Sequence, residues 1–149
     1  MIQKTLKGKL MSRKLQHLNL QPADRIVVPK SKVRMIQHHA IYLGKDEFGI
    51  DLIAENIINK GVQIVTAADF FRDGTIITRI EPFRGTNAQR TKAINDAFAF
   101  VGTNYDLIGF NCEHYANVVQ QKPAISKQVA TGLTLAIVGL IVGAILKDN

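Results

Sequence analysis

Apolar and polar residues alternate with a period of two along much of the first half of the chain, a pattern that predicts β-strands. Turn residues separate the apolar runs, and Lys45-Asp46-Glu47 leaves only a short turn between the second run and the third. We therefore expect those two strands to form an antiparallel hairpin. Thr66 is placed to cap a brief helical turn over 69–71. The strands are predicted at 25–28, 33–43, 48–53, 62–65 and 75–80.

The apolar spacing changes to that of α-helices in the second half. Asn87 is predicted to cap one helix, which ends at Gly102, and Asn111 to cap a second, which Pro123 stops. Strands that precede helices in this way are typical of an α+β fold with a largely antiparallel sheet. The buried stripe of the first helix is predicted at Ile94, Ala97, Phe98 and Val101.

The end of the chain is apolar on every side. Residues 129–146 contain no charge, and a helix of this length spans about 27 Å, close to the ~30 Å hydrocarbon core of a bilayer. We expect a transmembrane helix that anchors the protein by its tail, with the preceding domain in the cytoplasm. The alternative is a buried core helix. Gly139 and Gly143 are spaced to let two such helices pair in a homodimer.

Positive charge is concentrated at the start of a chain whose net charge is +7. Residues 1–20 contain no acid, and the basic residues between 4 and 14 suit the anionic head groups of a membrane. No aromatic side chain lies among them to stack on bases, so we expect no nucleic-acid partner. A solvated terminus is the alternative, and Met11 could be the true start.

Cys112 is the only cysteine, which excludes an intramolecular disulfide and a zinc site built from several cysteines. It would lie on the first turn of its helix, where unpaired N–H groups and the helix dipole favour a thiolate. The apolar spacing turns its side chain inward. Such a cysteine is either a small core residue or a nucleophile. The inward face comprises Cys112, Tyr115, Ala116 and Val119.

A nucleophilic thiol needs a base, and the chain has four histidines. His17 lies in the basic arm and is predicted to be solvated. His114 falls about 200° around the helix from Cys112, so we expect it to form structural hydrogen bonds. His38 and His39 are adjacent in a predicted strand, so one of them faces the helix and the other faces away. This pair is the source of the candidate base.

Two motifs resemble the lecithin:retinol acyltransferase-like family. The segment His-His-Ala-Ile-Tyr-Leu-Gly at 38–44 resembles its His-Trp-Ala-Ile-Tyr-Val-Gly strand, and Asn-Cys-Glu-His-Tyr at 111–115 resembles its Asn-Cys-Glu-His-Phe box. The His strand precedes the Cys helix, an order permuted relative to papain. The resemblance implies a papain-like, permuted NlpC-type core, with an antiparallel sheet packed on helices. The implied division is a basic arm over 1–20, a catalytic domain over 21–122, and a linker with membrane anchor over 123–149.

The resemblance also implies roles for individual residues. Cys112 takes the place of the family's nucleophile and His38 that of its general base, while His39 replaces the family's tryptophan as a core or supporting residue. Asp51 falls at or next to the position of the family's second histidine, so it is predicted to orient His38. Asn56 is the fallback for that role.

The oxyanion site is predicted at the start of the same helix. The backbone N–H of Cys112, which follows the cap Asn111, is the expected donor. Tyr42, on the same strand face as His38, could add its hydroxyl group.

The implied activity is that of a membrane-anchored thiol acyltransferase or phospholipase A-type hydrolase. It would act on the acyl esters of glycerophospholipids through a thioester on Cys112, without metal or cofactor. One alternative is a Cys/His amidase or peptidase of the papain-like superfamily, and another is a catalytically silent, membrane-tethered interaction module. A metal site formed by His38, His39, Cys112 and Glu113 has no recognisable ligand spacing.

Overall fold

A five-stranded antiparallel sheet forms the centre of the protein, whose computed structural model describes residue 15 and residues 17–30, 36–122 and 127–147. The strand order is β4-β3-β2-β1-β5, and each neighbouring pair is antiparallel. This confirms the α+β prediction. The strands are β1 (Arg25–Pro29), β2 (Gln37–Lys45), β3 (Asp51–Ile57), β4 (Gly61–Thr66) and β5 (Arg79–Glu81). The helices are α1 (Ala67–Phe70), α2 (Asn87–Ala99), α3 (Cys112–Val119) and α4 (Lys127–Lys147).

Both faces of the sheet are covered by apolar side chains. One face packs Ile41 and Ala54 against Tyr115 of α3 and Ala97 of α2. The other face has its own cluster, which includes Ala40, Ile53 and Phe71. The central strand β2 is therefore buried on both sides, and successive residues along it enter different halves of the core. This alternation separates His38 from His39.

The third strand begins later than the sequence predicts. Phe48 and Ile50 alternate like strand residues, but both are exposed and belong to the turn before Asp51. The carboxylate of Asp46 organises that turn, since Oδ1 accepts from the N–H groups of Phe48 at 2.9 Å and Ile50 at 2.8 Å. The fifth strand is also shorter than predicted, with only Arg79–Glu81 paired.

The N-cap of helix α2 lies one residue earlier in the chain than predicted. Thr86, not Asn87, is the N-cap, and it forms a reciprocal capping box with Gln89. The predicted stripe is correct at Ala97 and wrong at two positions, because Phe98 and Val101 are about half exposed. Small residues, Ala93 and Ala97, make the fully buried contacts instead, in the core cluster that also contains Tyr115 and Ala116 of α3.

The structure describes only part of the two ends of the chain. Residues 4–14 and Met11, on which the basic-arm predictions rest, lie outside the described residues, as does Pro123. Helix α4 extends over Lys127–Lys147. In the described part of the chain, no helix has both the length and the apolar character needed to cross a membrane. Pairing through Gly139 and Gly143, membrane attachment and cytoplasmic location stay predictions.

Two glycines with left-handed backbone offer a matched test of how the sheet is joined to α2. Gly61 has φ 72° and Gly49 has φ 75°, but a Cβ at Gly61 would overlap the carbonyl oxygen of Thr103, whereas a Cβ at Gly49 meets nothing within 4 Å. Gly49→Ala is expected to lower the free energy of unfolding by about 1–2 kcal/mol, the cost of left-handed backbone. Gly61→Ala should lower it by at least about 1 kcal/mol more, as measured by urea denaturation. Equal losses would contradict this packing.

Candidate active site

Cys112 is held at the first position of α3 by a double cap. The side chain of Asn111 accepts hydrogen bonds from the backbone N–H groups of Glu113 (2.9 Å) and His114 (3.1 Å). In return, His114 Nδ1 accepts from the backbone N–H of Asn111 at 3.3 Å. This arrangement confirms Asn111 as the helix cap and His114 as a structural residue. It also fixes the backbone at Cys112 and therefore the direction in which its side chain points.

The thiol contacts an edge of β2 that β3 leaves open. The ladder between these strands begins at the pair Ala40–Glu55, and earlier residues of β2 are paired only with β1. Cys112 Sγ lies 3.9 Å from the carbonyl oxygen of Gln37 and also receives the backbone N–H of His39. Because Gln37 and His39 are two residues apart, their main-chain groups point to the same edge of β2. The thiol therefore contacts the main-chain groups of β2 that a longer β3 ladder would otherwise pair.

The imidazole of His38 joins this thiol to a carboxylate that the sequence analysis did not identify. His38 Nε2 lies 2.7 Å from Glu55 Oε2, and its ring is also hydrogen-bonded to Cys112. Since Nε2 faces the carboxylate, Nδ1 is the atom left for the thiol. Glu55 Oε1 in turn accepts from Gln63 Nε2 at 2.8 Å. The side chains form one continuous chain of hydrogen bonds, and Phe70 stacks on the imidazole at 5.9 Å between ring centroids.

The charges of this chain favour a thiolate beside an imidazolium. Burial raises the pKa of the Cys112 thiol, but the hydrogen bond and the charge of His38 outweigh it and bring that pKa below its ordinary value. Burial lowers the pKa of His38, yet its hydrogen bonds to Cys112 and Glu55 raise it to about 9. The pKa of Glu55 is lowered, against its burial, by His38 and Gln63. A lowered thiol pKa beside an imidazole whose pKa is about 9 favours the thiolate–imidazolium pair over the neutral pair.

Asp51 does not have the predicted orienting role. It pairs with Lys45 in the β2–β3 register, four residues before Glu55, which places it about 13 Å away along the strand. Its Oδ1 accepts from the hydroxyl of Tyr42 at 2.7 Å and its Oδ2 from Lys45 at 2.8 Å. The prediction of a Tyr42 hydroxyl at the oxyanion site is wrong for the same reason, because that hydroxyl is bound at the far end of the hairpin.

His39 and Asn56 lie on the sheet face opposite to His38. His39 is buried, and burial together with the charge of Arg25 lowers its pKa to about 4, so it is neutral. Its place in the core agrees with the prediction. Asn56 cannot orient His38 from this face; instead its Nδ2 donates to the carbonyl oxygen of Phe110 at 2.8 Å. It therefore ties β3 to the segment that leads into Cys112.

The backbone N–H of Cys112 remains available for an oxyanion. Asn111 takes the N–H groups of the next two residues, and no acceptor for the Cys112 N–H occurs among the described residues. The role of this N–H as the oxyanion donor stays a prediction. Within the described ranges, no group of three or more His, Cys, Asp or Glu side chains is arranged to hold a metal ion.

Comparison with known proteins gives one match. A family model described as permuted papain-like amidase enzyme, YaeF/YiiX, C92 family, matches residues 15–117. The chain belongs to this C92 family. The matched segment contains Cys112, His38 and Glu55, so the whole hydrogen-bonded chain lies within it. A search of curated proteins and a search of solved structures each returned no match.

Membership of the C92 family confirms the coarser part of the functional prediction. The permuted papain-like core and the cysteine-dependent hydrolase are as predicted. The match supports an amidase family within that superfamily and does not support the lecithin:retinol acyltransferase-like family in particular. In this chain the His strand precedes the Cys helix, which agrees with a permuted papain-like family.

Alkylation should reveal the ionised thiol directly. Because the pKa of Cys112 is lowered by His38, iodoacetamide is expected to label this C92 protein at pH 6 faster than it labels free cysteine, whose thiolate is scarce there. His38→Asn removes the cation, so its labelling rate at pH 6 should fall by about tenfold or more. Intact-mass kinetics measure both. Equal rates for the wild type and His38→Asn would show that no such ion pair exists.

Proposed function

We propose that this C92 protein hydrolyses carboxylic amides through an acyl thioester on Cys112. The observation that carries the proposal is the buried sequence of contacts from the Cys112 thiol through His38 to Glu55. A thiol, an imidazole and a carboxylate in this order form the triad of acyl-transfer enzymes. Membership of an amidase family supports the choice of an amide bond.

The first half of the reaction uses each member of the triad once. The Cys112 thiolate attacks the carbonyl carbon, and the Cys112 N–H binds the oxyanion that forms. As the intermediate collapses, the carbon–nitrogen bond breaks and imidazolium Nδ1 of His38 gives its proton to the departing amine. Glu55 holds the ring through Nε2, which keeps Nδ1 directed at the reacting atoms.

The second half regenerates the thiol. Neutral His38 takes a proton from water, the resulting hydroxide attacks the thioester carbon, and the carbon–sulfur bond breaks. A carboxylic acid leaves, and the thiolate is again paired with imidazolium. Each turnover thus consumes one amide and one water and yields one acid and one amine.

A second candidate keeps the same chemistry and changes the donor to a phospholipid ester. Its support is an apolar rim beside the nucleophile. Ile36, Leu107 and Ile108 are all more than half exposed. Ile36 precedes Gln37, whose carbonyl contacts Sγ, and the carbonyl of Leu107 accepts from the side chain of the cap Asn111 at 3.0 Å. Such a rim suits an acyl chain, as in the membrane-anchored acyltransferase or phospholipase that the sequence motifs imply.

Intact-mass spectrometry tests the proposal. The protein is incubated with N-octanoyl-leucine, and separately with phosphatidylcholine vesicles, then quenched in acid. We expect one acyl increment on the wild type with the amide, together with free octanoate, and neither with Cys112→Ala. An increment with the vesicles alone would favour the second candidate. No increment from either donor on folded protein, and no product, would refute both.

A further inference from the structure

A cavity of about 260 Å³ lies next to the imidazole. It opens on the sheet face opposite to α3, so it is reached from the side of His38 rather than that of Cys112. Its wall combines apolar side chains with a comparable number of polar and charged ones. The lining residues are Val28, Pro29, Lys30, His38, Glu55, Ile57, Asp69, Phe70 and Thr75.

The position of the cavity beside His38 indicates that the cavity binds the leaving group of the substrate, that is, the amine. His38 must deliver its proton to the amine nitrogen, so that nitrogen has to lie against the imidazole. The acyl carbon is bonded to Cys112 Sγ at the same moment. Whatever is attached to the nitrogen therefore extends past His38, into the space that His38, Glu55 and Phe70 border.

Among the described residues, one charged side chain of the cavity has no ion-pair partner. Glu55 is paired with His38, and Asp69 is paired with Arg72 at 2.6 Å. Lys30 forms no ion pair in the described part of the chain; its ammonium lies 5.5 Å from the centroid of the Tyr105 ring. Lys30 lines the same cavity as His38 and Glu55, so its ammonium group is on the same side of the sheet as the imidazole. An anionic group on the leaving amine would form an ion pair with the ammonium of Lys30.

We propose that the cavity selects a leaving amine with a compact apolar side chain and a carboxylate, that is, an apolar amino acid released from its N-acyl derivative. The inference rests on the proposed amide hydrolysis. The side chain packs against Val28, Ile57 and Phe70, and the carboxylate pairs with Lys30. In the reaction, the carbon–sulfur bond forms, the carbon–nitrogen bond breaks, and the proton of His38 goes to the amino acid nitrogen. Water then releases the acyl group as a carboxylic acid.

The decisive measurement is a ratio of two substrates that differ only in the anionic group. N-Octanoyl-leucine carries the carboxylate, and N-octanoyl-leucinol carries a hydroxyl in its place. We expect kcat/KM for octanoate release to be about 5- to 20-fold higher with the carboxylate. Lys30→Ala should bring the ratio to about 1, and Lys30→Glu should invert it. A general effect of Lys30 on the thiolate alters both substrates equally, so it cancels in the ratio.

Lys92→Ala is the matched control, because this exposed lysine pairs with Asp96 on α2 and does not line the cavity. It should leave the ratio unchanged. A second variant, Thr75→Phe, fills the cavity and should raise KM for N-octanoyl-leucine more than for N-octanoyl-glycine. Both Lys30 variants change an exposed side chain, and circular dichroism checks that they fold.

The possible failures are distinct. Equal rates for the two leucine substrates in the wild type, or a ratio that Lys30→Ala leaves intact, would overturn the inference while amide hydrolysis stands. The same holds if neither leucine substrate reacts but another amide acylates Cys112. If no acyl donor acylates Cys112 in the folded protein, the proposed function falls, and this inference falls with it.

Discussion

Cys112→Ala is expected to abolish amide hydrolysis, with a loss of at least about 10⁴-fold in kcat/KM, because the proposed acyl intermediate forms on this thiol. Cys112→Ser should be nearly as inactive, since the hydroxyl is not ionised by His38 as the thiol is. Octanoate release from N-octanoyl-leucine measures both. Since Cys112 is the only cysteine, the acyl increment seen by mass spectrometry must vanish in both variants as well.

The serine variant also acts as the structural control. It keeps the size of the side chain at a buried position, so its thermal unfolding should remain close to that of the wild type. Residual turnover above about a hundredth of the wild-type rate in Cys112→Ala would mean that another group performs the chemistry. In that case the contacts of His38 and Glu55 would have to be explained as structural.

Glu55→Gln should lower kcat by about 10²- to 10⁴-fold, while Asp51→Asn leaves it within about threefold. The amide cannot hold His38 as an ion partner, and the pKa of about 9 that depends on this carboxylate falls in the variant. His38 then loses its proton at lower pH, so the alkaline limb of the pH profile shifts downward from about 9. Steady-state rates between pH 6 and pH 10 measure both effects.

Asp51→Asn is a suitable comparison because Asp51 is buried in the same strand and also bound by two neighbours, Tyr42 and Lys45. It changes the same chemical group at the other end of the hairpin. If Asp51→Asn were the more damaging variant for kcat, with both proteins folded, the arrangement seen in the structure would not be the active one. Equal and small effects would show that His38 needs no carboxylate.

The parts of the site that follow from local sequence could be predicted. The side chain of Asn111 caps α3 by accepting from the backbone N–H groups of Glu113 and His114, so the cap and the first-turn position of Cys112 can be predicted from nearby residues. The inward face of the same helix is correct because apolar spacing along one helix requires no knowledge of its partner. His38 was identified through its motif, and the structure brings it to the thiol.

The third member could not be found in this way because it depends on the pairing of two strands. Irregular register between Tyr42 and Gly44, and a turn that extends to Ile50, decide which residue of β3 lies near His38. The alternation before Asp51 suggested an earlier strand. One signal was present: Glu55 alternates with Ile53 and Ile57 on one face of the strand, and burying a charge there is unfavourable without a partner.

The contacts of the buried charged residue that packs against α3 could not be predicted from the sequence either. Arg25 is almost completely buried, and it donates to the side chain of Asn117 at 2.6 Å across the sheet–helix interface. Its guanidinium also lies 3.5 Å from His39 Nδ1. These residues are far apart in the chain, and no spacing rule relates them. They explain why α3 buries polar side chains on faces that its apolar pattern assigns to solvent.

The gap in the β2–β3 ladder has a consequence for how unfolding would be observed. In most proteins a buried thiol reacts faster when its surroundings open. Here the opening of β2 near Gln37 would separate Cys112 from His38 and raise the pKa of the thiol toward its ordinary value, so that less thiolate is present at pH 6. Mild denaturant should therefore slow labelling at that pH. The labelling rate of the single cysteine would therefore report on local opening of the sheet, and it would decrease as the sheet opens.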